Sequence, residues 1–106
     1  MNTMNTMNSM NKITIKHIDN TLHNINVTDE TTFLTIIEKV YNKLGLPYQN
    51  FYFIRMKSNK NIKKDFIKID ESKYDMTLKY LDFKQNDYIK AVDRKSTVLK
   101  FAFDEL

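Results

Sequence analysis

The sequence predicts an α+β domain in which one main helix packs on a mixed sheet. Three observations carry that expectation. Residues Thr31 to Pro47, TTFLTIIEKVYNKLGLP, hold Phe33, Ile36, Ile37, Val40, Tyr41 and Leu44 at three- and four-residue steps, the spacing of a single apolar helical stripe. Lys12 to Val27 alternates apolar and polar residues on either side of Asp19-Asn20-Thr21, as a β-hairpin does. Phe51 to Met56, FYFIRM, and Tyr88 to Val92, YIKAV, are rich in residues that suit a pleated, half-buried surface. A helix with one apolar stripe needs a partner layer, and the strands supply it.

Taken in order, residues 1–11 repeat Met-Asn-Thr/Ser without charge or useful periodicity and read as a disordered low-complexity tail. In Lys12–Ile18, Ile13 and Ile15 share one face and Lys12, Thr14 and Lys16 the other. In Leu22–Val27, Ile25 and Val27 point inward. Thr31 or Thr32 caps the helix, because a hydroxyl there accepts from a free N–H of the first turn. Asp29 and Glu30 add negative charge near the positive end of the helix dipole. Gly45 ends the helix in the left-handed conformation, and Pro47 does not continue it. In the third strand Phe51 and Phe53 face the helix, and Tyr52 and Ile54 face out. Lys57–Tyr74 reads as a lysine-rich loop with a short edge strand at Phe66–Ile69, where charge discourages edge-to-edge pairing. Thr77–Phe83 is a turn or short helical piece whose Leu78, Leu81 and Phe83 plug the core. Gln85-Asn86-Asp87 turns into the last strand, with Ile89 and Ala91 inward. The organisation is therefore a tail (1–11), one domain (12–93) and a C-terminal extension (94–106) ending in VLKFAFDEL, either an added strand or a loose segment.

Composition narrows the function. The 106 residues carry a formal charge of +4, enough for weak attraction to anionic partners. Nearly all of that charge is lysine; Arg55 and Arg94 are the only arginines, which argues against sequence-specific DNA reading. There is no cysteine, so disulfides, thiolate catalysis and cysteine-held metals are excluded. No run reaches transmembrane length and the N-terminus lacks the apolar core of a signal peptide, so an intracellular protein is expected. No nucleophile–base pair or phosphate-binding glycine loop is visible, and neither an enzyme nor a cofactor is expected. His17 and His23 flank the hairpin turn, but two imidazoles without a third ligand make a poor metal site; no metal is expected, and His23 reads as a partly buried inward residue.

The ordered set resembles the ubiquitin-like superfamily over roughly Lys12 to Val92. Val27, Thr32, Phe33, Ile36, Val40, Gly45, Leu46 and Pro47 fall where ubiquitin has the same or a similar residue, and Thr77-Leu78 and Phe83 match the segment before its last strand. Leu81 to Ile89, LDFKQNDYI, is similar to the ending of small ubiquitin-like modifier (SUMO) domains. The main departure is a longer stretch between Lys57 and Met76. The resemblance implies the β-grasp fold. Conjugated relatives act through a C-terminal Gly-Gly; the only glycine here is Gly45, so a non-conjugated interaction module is expected. The resemblance also implies a partner-binding patch on the outer sheet face. Ile54 falls at the central isoleucine of ubiquitin's recognition surface, Ile18 at its hairpin-tip leucine and Val92 at its last-strand valine, with Lys90 in place of the neighbouring histidine. Strand parity adds Tyr52 and Tyr88. Converging apolar groups of this kind make a docking site. Protein partners, including those of the ubiquitin or SUMO pathway, are expected, with the chain a monomer or weak oligomer and no membrane involved. The alternative is a basic domain that binds nucleic acid or an acidic partner through Lys57, Lys60, Lys63, Lys64 and Lys68.

Overall fold

The computed structural model describes residues 11–57 and 66–95. Five strands, β1 (Lys12–Lys16), β2 (Leu22–Asn26), β3 (Phe51–Met56), β4 (Phe66–Lys68) and β5 (Tyr88–Asp93), surround one helix, α1 (Phe33–Leu44). They form a single sheet in the order β2-β1-β5-β3-β4. β1 and β5 pair in parallel at its centre, and every other pairing is antiparallel. The sheet is thus mixed, as expected, and the whole chain between β1 and β5 serves as their crossover. Residues 1–10, the lysines at 60, 63 and 64, and residues 96–106 lie outside the described residues.

β1 stops short of Ile18 because the turn takes over there; at the other end of the hairpin β2 stops at Asn26, and the Val27 N–H donates to Asn11 O at 3.1 Å. The His17 N–H donates to Thr21 O at 2.9 Å and the Asn20 N–H to His17 O at 2.8 Å. Asn20 has φ 72°, a left-handed conformation that asparagine tolerates. Asp19 Oδ1 accepts from the Thr21 N–H at 3.0 Å, an Asx turn. At the helix start, Thr32 is the cap: its Oγ1 accepts from the Thr35 N–H at 3.2 Å. At the other end Gly45 sits at φ 72°, and the Leu46 N–H returns to Tyr41 O at 3.0 Å. A Cβ at Gly45 would meet nothing within 4 Å, so glycine is required there for conformation alone.

The expected stripe of Phe33, Ile36, Ile37, Val40 and Tyr41 is buried. It meets Ile13 and Ile15 of β1, Phe51 and Phe53 of β3, and Ile89 and Ala91 of β5 in one core cluster. Leu78 and Phe83 join it, with Leu81 packed against it. Phe53 touches the rings of Phe33, Tyr41 and Phe51 at centroid distances of 6.0, 5.6 and 6.5 Å.

The stretch read as a polar loop also supplies core. Ile69 and Tyr74 are buried, and the Tyr74 ring lies 5.3 Å from Phe33 and 6.3 Å from Phe53. Asp70 begins this segment by accepting from the Ser72 N–H at 3.1 Å, capping a 3₁₀ turn over Glu71–Lys73. The segment then closes the start of α1. The Phe33 N–H donates to Met76 O at 3.0 Å and the Leu34 N–H to Tyr74 O at 2.7 Å, satisfying first-turn donors that the helix itself leaves open.

Burial, with Glu71's charge nearby, pushes the Tyr74 hydroxyl up from 10.0 to about 12. The unfolded chain ionises first, so this contribution to stability is complete below pH 10 and is lost as pH rises from there through about 12. Tyr74→Phe should therefore lose stability less steeply than the wild type across that window in denaturant titrations. Equal slopes would show that the ring is not buried.

Candidate functional site: the outer sheet face

Alternation places Ile13, Ile15, Phe51, Phe53, Ile89 and Ala91 toward the helix, so the residues between them form the opposite face. Register then fixes who stands beside whom. Leu22 pairs with Lys16, Lys16 with Lys90, Lys90 with Ile54, and Ile54 with Lys68. One row thus crosses all five strands and holds three lysines, of which Lys90 and Lys68 flank Ile54. Next along this face, toward the end of β5, Tyr52 pairs with Val92; on the other side of the row, Met56 pairs with Tyr88. Beside the row, Lys12, Thr14, Lys16, Asn20, Leu22 and Tyr88 line a groove of about 610 Å³.

The six expected patch residues are distributed unevenly. Tyr52, Ile54, Tyr88, Lys90 and Val92 share this face. Lys90 is exposed, while Tyr52, Tyr88 and Val92 are half-buried. Ile54 points away from the helix yet is only 6 % exposed; the expectation of an open central isoleucine is corrected. Ile18 is 47 % exposed and sits at the end of the sheet, in a notch of about 380 Å³ with Leu46, Phe51, Asp93 and Arg94. Its position follows from the turn, which carries it beyond the last β1 pair.

Tyr52 is engaged by two cations. The Arg94 guanidinium lies 4.4 Å and the Lys68 Nζ 4.3 Å from its ring centroid, an arrangement that the ring quadrupole favours. Arg94 is held by its Nε–H, which donates to Gln49 O at 2.6 Å, and by an ion pair with Glu71. The sequence reading assigned Arg94 no role; its rarity as one of two arginines, just past the last strand, was the available signal. Of the proposed basic loop, Lys57 pairs with the buried Asp87 at 3.8 Å and Lys68 faces Tyr52; Lys60, Lys63 and Lys64 are outside the described residues. By contrast, among the described residues neither Lys16 nor Lys90 has an ion-pair partner.

Three other polar groups belong to the scaffold. Arg55 points to the helix side, where Nη1 donates to Leu81 O at 2.8 Å and to Asp82 O at 3.3 Å. His17 is buried, with Nδ1 2.8 Å from the Tyr41 hydroxyl and its ring edge-on to Phe51 at 5.2 Å. His23 Nε2 lies 2.9 Å from Thr21 Oγ1. Among the described residues no group of three His, Cys, Asp or Glu could hold a metal, and no helix is long and apolar enough to cross a membrane.

No protein-family model and no curated protein sequence matches this chain. Solved structures do. The C-terminal ubiquitin-like domain of mouse tubulin-specific chaperone e aligns with a TM-score of 0.61 at 10 % identity, over 80 % of this chain and 87 % of that one. A computationally designed protein based on human erythrocytic ubiquitin aligns at 0.57 and 21 % identity, over 82 % and 95 %. A second ubiquitin-based design aligns at 0.57 and 15 % identity, over 80 % and 89 %. A five-stranded mixed sheet wrapped on one capped helix, in this strand order and with these structural likenesses, is the ubiquitin-like β-grasp fold.

Proposed function

We propose that this domain is a non-enzymatic interaction module that binds a protein partner without covalent attachment, through the outer face of its sheet. The observation that carries the reading is the Lys16–Lys90 pair. Two like charges on directly paired positions of the central strands repel each other, and a carboxylate on a partner relieves that repulsion. Tyr88 and Val92, half-buried on the same face, add apolar area that contact removes from water, at ~25 cal/mol per Å². The partner therefore combines acidic and apolar side chains. Non-covalent action is supported by the glycine content, since Gly45 is committed to the helix cap and no Gly-Gly pair occurs in these residues. Proteins that handle ubiquitin or SUMO are the first candidates to test.

Lys90→Glu is the test. Lys90 is exposed, so the variant should melt like the wild type. Affinity for a partner recovered from the native cell should fall on the order of tenfold, with Lys39→Glu on the helix as a control that changes little. An equal loss in both variants would mean diffuse charge attraction and would refute a site on the outer face. A steep fall of affinity with salt, in step with phosphate neutralisation, would favour nucleic acid instead.

A further inference from the structure

Lys16 belongs to two features of the outer face: the row in which Lys90 stands beside it, and the groove of about 610 Å³ that runs next to that row. Among the described residues Lys12, Lys16 and Lys90 have no ion-pair partner. The one carboxylate in the groove's lining, Asp87, is already engaged. It is buried, its Oδ2 accepts from the Lys84 N–H at 2.9 Å, and the Lys57 Nζ lies 3.8 Å from it. The groove is therefore cationic.

Strand geometry sets where its charges stand. Lys12, Thr14 and Lys16 share one side of β1, so Lys12 and Lys16 lie ~13 Å apart along the groove at ~3.3 Å per residue. Between them the Thr14 hydroxyl is occupied, donating to Asn24 Oδ1 at 2.5 Å. Lys16 pairs with Lys90 in the parallel ladder, and the same offset sets Thr14 level with Tyr88. Tyr88 thus borders the middle of the groove on one side, and the exposed Leu22 borders its Lys16 end on the other. Lys16 and Lys90, ~4.8 Å apart at the backbone, call for two negative charges in one place. A carboxylate brings one, and two carboxylates on the same side of an extended chain are spread over ~6.6 Å. A phosphate monoester brings a charge of about −2 and three acceptor oxygens in a single group, and lysine binds it as a point charge.

We propose that the groove and the Lys16–Lys90 pair take a phosphorylated segment of a protein partner. The phosphate lies between Lys16 and Lys90, the adjoining residues run extended over Thr14 beside Tyr88, and an acidic side chain four positions from the phosphorylated residue meets Lys12. The proposal rests on the interaction-module reading above for its face; the preference for phosphate over carboxylate does not follow from that reading. Its consequence is regulatory, since phosphorylation of the partner then switches binding on.

The test titrates the isotope-labelled full chain with short Ala/Thr peptides, in both sequence orders. One carries phosphoserine and, four positions away, glutamate; a second has glutamate in place of the phosphoserine; a third keeps the phosphoserine and has alanine in place of the glutamate. The first should bind about tenfold more tightly than the second and shift the amides of Thr14, Lys16, Tyr88 and Lys90. Lys90→Gln, at an exposed position, should abolish that preference, and Lys16→Gln should do the same. Lys12→Gln should abolish only the advantage of the first peptide over the third, and Lys39→Gln on the helix should change neither. Equal affinity for the first two peptides would overturn the phosphate and leave the module reading standing. Shifts confined to other faces, or no shifts with any peptide, would overturn both. Inorganic phosphate that gives the same shifts at the same affinity would overturn the extended segment. Single-stranded oligothymidylate that binds more tightly than the phosphopeptide at matched salt would assign the groove to nucleic acid and overturn the protein partner.

Discussion

Replacing Ile36 with aspartate should unfold the domain. Ile36 sits mid-helix in the stripe that faces the sheet and is fully buried. A carboxylate there would be buried in a cluster of Ile, Val, Phe, Leu, Ala and Tyr side chains that holds no cation. An unpaired buried charge costs several kcal/mol, and a small domain has only about 5–15 kcal/mol in total. Circular dichroism should show lost helix, and amide proton shifts should collapse toward random-coil values. A soluble mutant with native-like amide dispersion would overturn the packing of α1 on the sheet.

Ile54→Ala should destabilise the fold by about 2–4 kcal/mol, as a core truncation does. The sequence alone predicts a different result for this substitution: a surface change that weakens binding by about 1–3 kcal/mol and leaves stability nearly untouched. The burial of Ile54 reverses the order of those effects. Urea titration of Ile54→Ala beside Ile18→Ala separates the two, because Ile18 is well exposed and its truncation should cost less than ~0.5 kcal/mol. Similar small losses in both variants would return Ile54 to the surface and restore it as the centre of an open patch.

The two substitutions differ in how far sequence foresees them. For Ile36 the prediction follows from local pattern: a 3.6-residue period, a threonine cap and a left-handed glycine. For Ile54 it does not. Parity assigned the residue to the outer face correctly, but parity says which way a side chain points and nothing about what lies over it.

Tyr74 illustrates a similar limit. It lies among Lys, Asp, Glu and Ser, where neither helical nor strand periodicity marks an inward residue. It is buried because the Glu71–Lys73 turn brings its backbone to the open N–H groups of α1, a contact between segments some forty residues apart. His17 is comparable. As one of two histidines beside a turn it has no role legible in the sequence beyond a poor metal site, and the structure seats it against the Tyr41 hydroxyl and Phe51. Low-complexity context concealed the first, and a partner 24 residues away determined the second.

What the sequence by itself determined is the set of elements, their order, and the face each turns to the core: Thr32 to Gly45 for the helix, the hairpin before it, and the strands at Phe51 and Tyr88. These depend on neighbours within a few residues, where periodicity and capping chemistry act. The tertiary structure alone decided the register that sets Lys16 beside Lys90, the placement of Arg94 over Tyr52 and the burial of Ile54. Each of these depends on strands far apart in the chain meeting at one offset out of several, and that offset is selected by the packing of the whole core rather than by any local stretch.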